Sequence, residues 1–116
     1  MNNEIFVFGS NLMGIHGAGS ALEAIKHGAI NGLGSGRQGN SYAIPTKSSP
    51  TANGTLPISR IKLYIDQFIE YAKDNLHLTF NVVKIGCGLA GYTEDEIATL
   101  FRYAPKNVNL PTGWRK

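Results

Sequence analysis

Apolar and polar positions divide the chain into short strands that alternate with amphipathic helices. Residues 4–8, EIFVF, make a run of β-branched and aromatic side chains, the pattern of a strand covered on both faces. Residues 18–27 place Ala21, Leu22 and Ile25 at helical spacing, and Gly28 follows as a natural C-cap. Residues 29–40 hold Gly32, Gly34, Gly36 and Gly39 with no periodicity, which predicts an exposed, mobile loop. A short strand over residues 41–44 is expected to end at Pro45. Residues 48–54, SSPTANG, are a turn-rich connection, and Pro57 suits the first turn of a helix. That helix, residues 58–74, carries the clearest stripe: Ile58, Ile61, Ile65, Phe68, Ile69 and Ala72, with Arg60, Lys62, Asp66, Glu70 and Lys73 mostly outside it. Residues 80–85 form the next strand. Thr93 and Glu96 make a capping box for a helix carrying Ile97, Leu100 and Phe101 and ended by Pro105, and residues 108–110 give a last short strand.

This alternation predicts an α/β fold with a mainly parallel sheet and helices on both faces, since parallel neighbours need crossover connections. Ligands in such sheets bind outside the carboxyl ends of the strands. Two glycine-rich loops fall there. In FGSNLMGIHGAGSA, residues 8–21, Gly14, Gly17 and Gly19 remove side chains where a ligand must come close. A helix opening near Gly17 directs unpaired N–H groups at an anion. IGCGLAGY, residues 85–92, repeats the layout. The pair suggests a pyrophosphate or ribose phosphate held between them, with Thr46 and Lys47 at a third strand end.

Composition narrows the setting. The 116 residues suit a single domain over residues 1–116, and 14 glycines exceed the usual share of about 7%. Cys87 is the single cysteine, so no internal disulfide forms, and no run reaches the roughly 18 apolar residues of a membrane span. The start of the chain has no basic leader and runs directly into a strand, so a reducing, cytoplasmic setting without a membrane partner is expected. The net charge of +3 is scattered. It favours anionic ligands of any size, but no basic stripe interleaved with aromatics marks a nucleic-acid surface.

The candidate chemistry is concentrated in the loops. Residues 34–39, GSGRQG, match a dinucleotide fingerprint only as text, because they precede a strand. Residues 86–91, GCGLAG, follow a strand and precede a helix, yet lack the acidic residue about 20 positions on; they read as a phosphate or ribose loop or as tight turn geometry. Asn11 can hold a ribose hydroxyl, orient a water or simply form a turn. His16 is a candidate acid or base. Lys47 can pair with phosphate or attack a sugar C1 carbon. Cys87, between two glycines and without a credible histidine partner, reads as inert.

Together these segments resemble the macro domain family, in its compact branch of ADP-ribose-1''-phosphate phosphatases, terminal ADP-ribose protein glycohydrolases and DNA ADP-ribosyl glycohydrolases. Residues 11–21, NLMGIHGAGSA, look like the branch's asparagine-led loop, with His16 where methionine is usual. YAIPTK, residues 42–47, looks like its proline-threonine-lysine strand end, and KIGCGLAGY, residues 84–92, like its glycine-cysteine-glycine loop. The resemblance implies a three-layer macro-like fold, reduced at the N-terminus, where the family carries its adenine-reading aspartate on an earlier strand. It also implies an ADP-ribose-type ligand across the strand ends. Gly9, Ser10, Asn11, Gly14, Gly17, Ala18 and Gly19 would lie near its distal ribose. Gly86, Cys87, Gly88, Leu89, Ala90, Gly91 and Tyr92 would surround its diphosphate, with Thr46 beside Lys47.

Lys47 matches the lysine with which some members remove ADP-ribose from protein or DNA, while Ala90 stands where the protein glycohydrolase has an aspartate. Two functions follow. One is a hydrolase of a phosphate or glycosyl bond, using Asn11, His16 and Lys47, with ADP-ribosylated protein or DNA as partner and no metal or cofactor. The other is a module that binds or sequesters ADP-ribose or a cyclic NAD-derived signal without turnover. A nucleic-acid adaptor, as a third class, requires affinity that falls steeply with salt.

Overall fold

Strand β1, Glu4–Asn11, sends Ile5 and Val7 to one face and Phe6 and Phe8 to the other, and both faces are covered. Such a strand belongs inside a sheet. It pairs in parallel with β3, Ser41–Lys47, on one edge and with β4, Thr79–Val82, on the other. Strand β2, Gly36–Gln38, adds antiparallel to β3, and β5, Val108–Asn109, adds parallel to β4. The result is a five-stranded mixed sheet in the order β2-β3-β1-β4-β5. The computed structural model describes residues 3–51, 54–88 and 90–115.

Helices make the parallel crossovers and give three layers, as expected. Helix α2, Ile58–Lys73, and helix α3, Glu94–Ala98, with the 3₁₀ turn Thr99–Phe101 behind it, cover the Ile5 face. Phe68 is the hub of this layer, with ring centroids 5.1 Å from Tyr42, 5.4 Å from Phe80 and 6.2 Å from Phe101. Among the described residues the other face carries one helix, α1, Gly19–Ile25, whose Ala21 and Ala24 lie against Phe8 and Ala43. No helix among the described residues is long and apolar enough to cross a membrane.

Several expectations need correction. Strand β3 does not stop at Pro45 but runs on to Lys47. Strand β2 reaches only Ala43, so the proline lies where β3 has a neighbour on one side alone and its missing N–H costs no ladder bond. Residues 29–40 are not simply an exposed loop: they contain β2, and Gln38 is buried, accepting from the Ile30 N–H at 2.8 Å and donating to the Leu33 carbonyl at 2.7 Å. Helix α1 starts at Gly19 and buries its alanines, leaving Leu22 and Ile25 exposed. The small side chains let the helix lie close to the sheet, which the bulkier ones would prevent. Strand β4 ends at Val82, short of residue 85.

The capping box is present. Thr93 Oγ1 accepts from the Glu96 N–H at 3.2 Å, and Glu96 Oε1 accepts from the Thr93 N–H at 2.9 Å. The bonds from Thr93 hold the Glu96 carboxyl below its ordinary value, and Trp114 Nε1, with Lys84, does the same for Glu94. Both folded-state values are lowered, so their stabilisation is complete above the ordinary value of 4.5 and is lost as the pH falls through the lower folded values. Two outcomes are expected in urea unfolding. Thr93→Ala costs about 1 kcal/mol at neutral pH, and Glu96→Gln flattens the loss of stability seen on acidification in the parent protein.

Candidate functional site

Because β1, β3 and β4 run in the same direction, their carboxyl ends open on one side of the sheet, and a cavity of about 620 Å³ lies there. Its volume falls in the usual range for small-molecule sites, roughly 300–1,000 Å³. One wall is Gly9, Ser10, Asn11 and Ile15, continuing through Gly17, Ala18 and Gly19 into Ser20 and Ala21 of α1. Thr46, Lys47 and Pro50 form a second wall, and Val83, Lys84, Ile85, Gly86, Gly88 and Ala90 a third. The three segments singled out in the sequence therefore meet. Among the described lining residues the charged side chains are two lysines; there is no carboxylate, imidazole or thiol.

Lys47 dominates the electrostatics of the site. Only 6% of the residue is exposed, and its ammonium donates to the Pro50 carbonyl at 3.3 Å. No ion pair to it occurs among the described residues. An ammonium has three donors, so two remain for a ligand. A buried, uncompensated cation costs folding free energy, and its place on a cavity wall is the arrangement that an anion relieves. The second cation, Lys84, is exposed and tied to Glu94 at 3.3 Å.

Loop geometry explains the glycines differently at different positions. Gly14 has φ +70°, and a Cβ there would stand 2.4 Å from the Gly32 carbonyl carbon; Gly86 has φ +75° and would drive a Cβ to 2.9 Å from Ile97 Cδ1. Both are demanded by the fold. Gly17 and Gly88 have ordinary φ and no described atom within 4 Å of a built Cβ, yet both line the cavity. The fold does not require glycine at either, and the space they leave is cavity space.

The remaining site residues have structural work. The Asn11 amide closes its own loop, donating to the Ile15 carbonyl at 2.9 Å and accepting the Ile15 N–H at 3.1 Å. One amide N–H and one lone pair remain. Ser10 Oγ donates to the Gly34 carbonyl. His16, expected as an acid or base, is 2% exposed and is not among the residues lining the cavity. Its Nε2 lies 3.1 Å from the Leu33 carbonyl, so that nitrogen carries the proton, and its ring meets Phe8 edge-on at 5.3 Å. With the His16 N–H on Asn31 Oδ1 at 2.9 Å and the Gly32 N–H on the Gly14 carbonyl at 2.8 Å, the first glycine loop is strapped to residues 29–35. His16 therefore ties the loop to this segment and lies off the cavity wall.

Gly14, Cys87, Gly91 and Tyr92 also do not line the cavity, and Leu89 lies outside the described residues. The Cys87 thiol donates to the Ile85 carbonyl at 3.4 Å, and burial, then Glu94, pushes its pKa up. Tyr92 anchors the second loop by donating its hydroxyl to the Leu56 carbonyl. Sequence reasoning missed Ile15, Ser20, Ala21, Pro50, Val83, Lys84 and Ile85 as wall residues, although Lys84 and Ile85 directly precede the Gly86 loop. Among the described residues no group of three potential metal ligands occurs. Comparison with protein-family models, curated proteins and solved structures gives no match.

Two substitutions separate stability from function at this site. Lys47→Met removes an uncompensated cation and is expected to stabilise the ligand-free protein by on the order of 1 kcal/mol, seen as a higher urea midpoint with unchanged slope. His16→Met keeps an apolar side chain against Phe8 but loses one hydrogen bond, a cost of about 1 kcal/mol in the same assay.

Proposed function

We propose that the protein binds ADP-ribose or a closely related NAD-derived nucleotide in the cavity at the strand ends. The observation that carries this reading is Lys47, a 6%-exposed cation on the cavity wall with no ion-pair partner among the described residues. Support comes from the convergence on one cavity of the three segments that resemble macro domain loops. Gly17 and Gly88 give a ligand backbone room at both glycine loops.

Recognition is favoured over turnover. With no carboxylate or imidazole among the described lining residues, nothing but an amine is placed to activate water or protonate a leaving group. Hydrolysis of a phosphate or glycosyl bond then rests on Lys47 alone, as electrostatic clamp or nucleophile.

Calorimetric titration with ADP-ribose is expected to show one site per chain. Lys47→Ala should weaken it by about 10–100-fold, the worth of a charge-assisted hydrogen bond. Incubation with ADP-ribose-1''-phosphate should leave the ligand intact by mass spectrometry; release of phosphate would restore the hydrolase reading. Absence of binding heat, or a Lys47→Ala protein that binds as tightly as the parent, would overturn the proposal.

A further inference from the structure

Strand β3 carries one residue more than β1 at the end that opens on the cavity. Their register runs evenly as far as Ser10 opposite Pro45, and the next pair is Asn11 opposite Lys47, so β3 bulges at Thr46. In an unbroken strand Thr46 and Lys47 would point to opposite faces. Here both line the cavity. Their backbone is fixed from two sides, since the Thr46 carbonyl accepts the Leu56 N–H and the Lys47 carbonyl the Leu12 N–H, each at 2.9 Å.

The fold makes no use of the Thr46 hydroxyl. The residue is only 4% exposed, yet its Oγ1 has no hydrogen-bond partner among the described residues. Nor is Oγ1 sealed in the interior, as the unpartnered His16 Nδ1 and Asn107 Oδ1 are, so the small exposed part of Thr46 includes its hydroxyl, on the cavity that the residue lines. The methyl carbon Cγ2 is directed toward Gly86, 3.7 Å from where a Cβ there would stand.

We propose that the Thr46 hydroxyl and the Lys47 ammonium together hold one phosphoryl group. This rests on the anion reading of the same cavity and names the ligand group that enters it. With one N–H on the Pro50 carbonyl, the ammonium keeps two donors, and the hydroxyl adds a third from the adjacent residue. A phosphoryl group brings three strong acceptor oxygens to meet them, whereas a carboxylate brings two. No carboxylate among the described lining residues competes for these donors.

Amide chemical shifts of the whole ¹⁵N-labelled chain, followed at constant ionic strength, test this with inorganic phosphate as the probe. Residues 46, 47 and 86 are expected to shift saturably with phosphate, and acetate should bind about tenfold more weakly. Thr46→Val should weaken phosphate about tenfold, the worth of one hydrogen bond to a charged group, and Thr46→Ser should restore most of the loss. Because both groups hold one ligand, the effects of Thr46→Val and Lys47→Ala should be non-additive. The urea midpoint of Thr46→Val should not fall below the parent's, since no internal bond is lost; a fall would mark the hydroxyl as structural and overturn the proposal. So would the absence of a saturable shift, acetate bound as tightly as phosphate, additive effects, or a Thr46→Val protein that binds like the parent. ADP-ribose heat that depends on Lys47 and not on Thr46 would overturn this assignment alone. Phosphate held through both residues without ADP-ribose heat would support it and overturn the nucleotide reading instead.

Discussion

Parallel pairing on both edges of β1 is the constraint from which the rest of this molecule follows. A strand with parallel neighbours on each side cannot be reached by hairpins, so the chain must cross over between them, and it does so with α1 on one face and α2 and α3 on the other. The same pairing aligns three carboxyl ends, and the segments leaving those ends become the three walls of one cavity. The hydrophobic centre at Phe68 and the polar site at Lys47 are two consequences of one topology.

The site sits on backbone that is fixed in unusual detail. His16, Asn31 and Ser10 join the first glycine loop to the segment that precedes β3, and Gln38 braces that segment internally. Asn11 closes the loop from within. The bonds from Ser10, His16 and Asn31 join segments 15 to 24 residues apart and are part-buried. Among the described residues the Lys47 ammonium makes one carbonyl contact where three donors are available.

How legible this was depended on whether a residue's role was set by its sequence neighbours. The α2 stripe, the Thr93–Glu96 cap and the β1 run depend on periodicity or on contacts three residues apart, and all three are found where the pattern puts them. The placing of Lys47 and both glycine loops at strand ends was also readable, because the βα order fixes which end of a strand a loop leaves. Failures came where a distant segment decided. Pro45 was read as a terminator without knowing that β2 is short. Leu22 and Ile25 were read as core without knowing how closely α1 approaches the sheet. His16 was read as chemistry without knowing that Leu33, 17 residues on, offers its carbonyl.

The sequence by itself determined the alternation of strands and helices, the parallel character of the sheet and the cluster of small residues at its carboxyl edge, because period, capping and loop chemistry act over a few residues. Only the tertiary structure decided which polar side chains are free. His16 and Asn11 carry the same donors and acceptors in any fold, and Lys47 the same charge. Whether those groups are met by a carbonyl or left on a cavity wall is set by contacts between segments far apart in the chain.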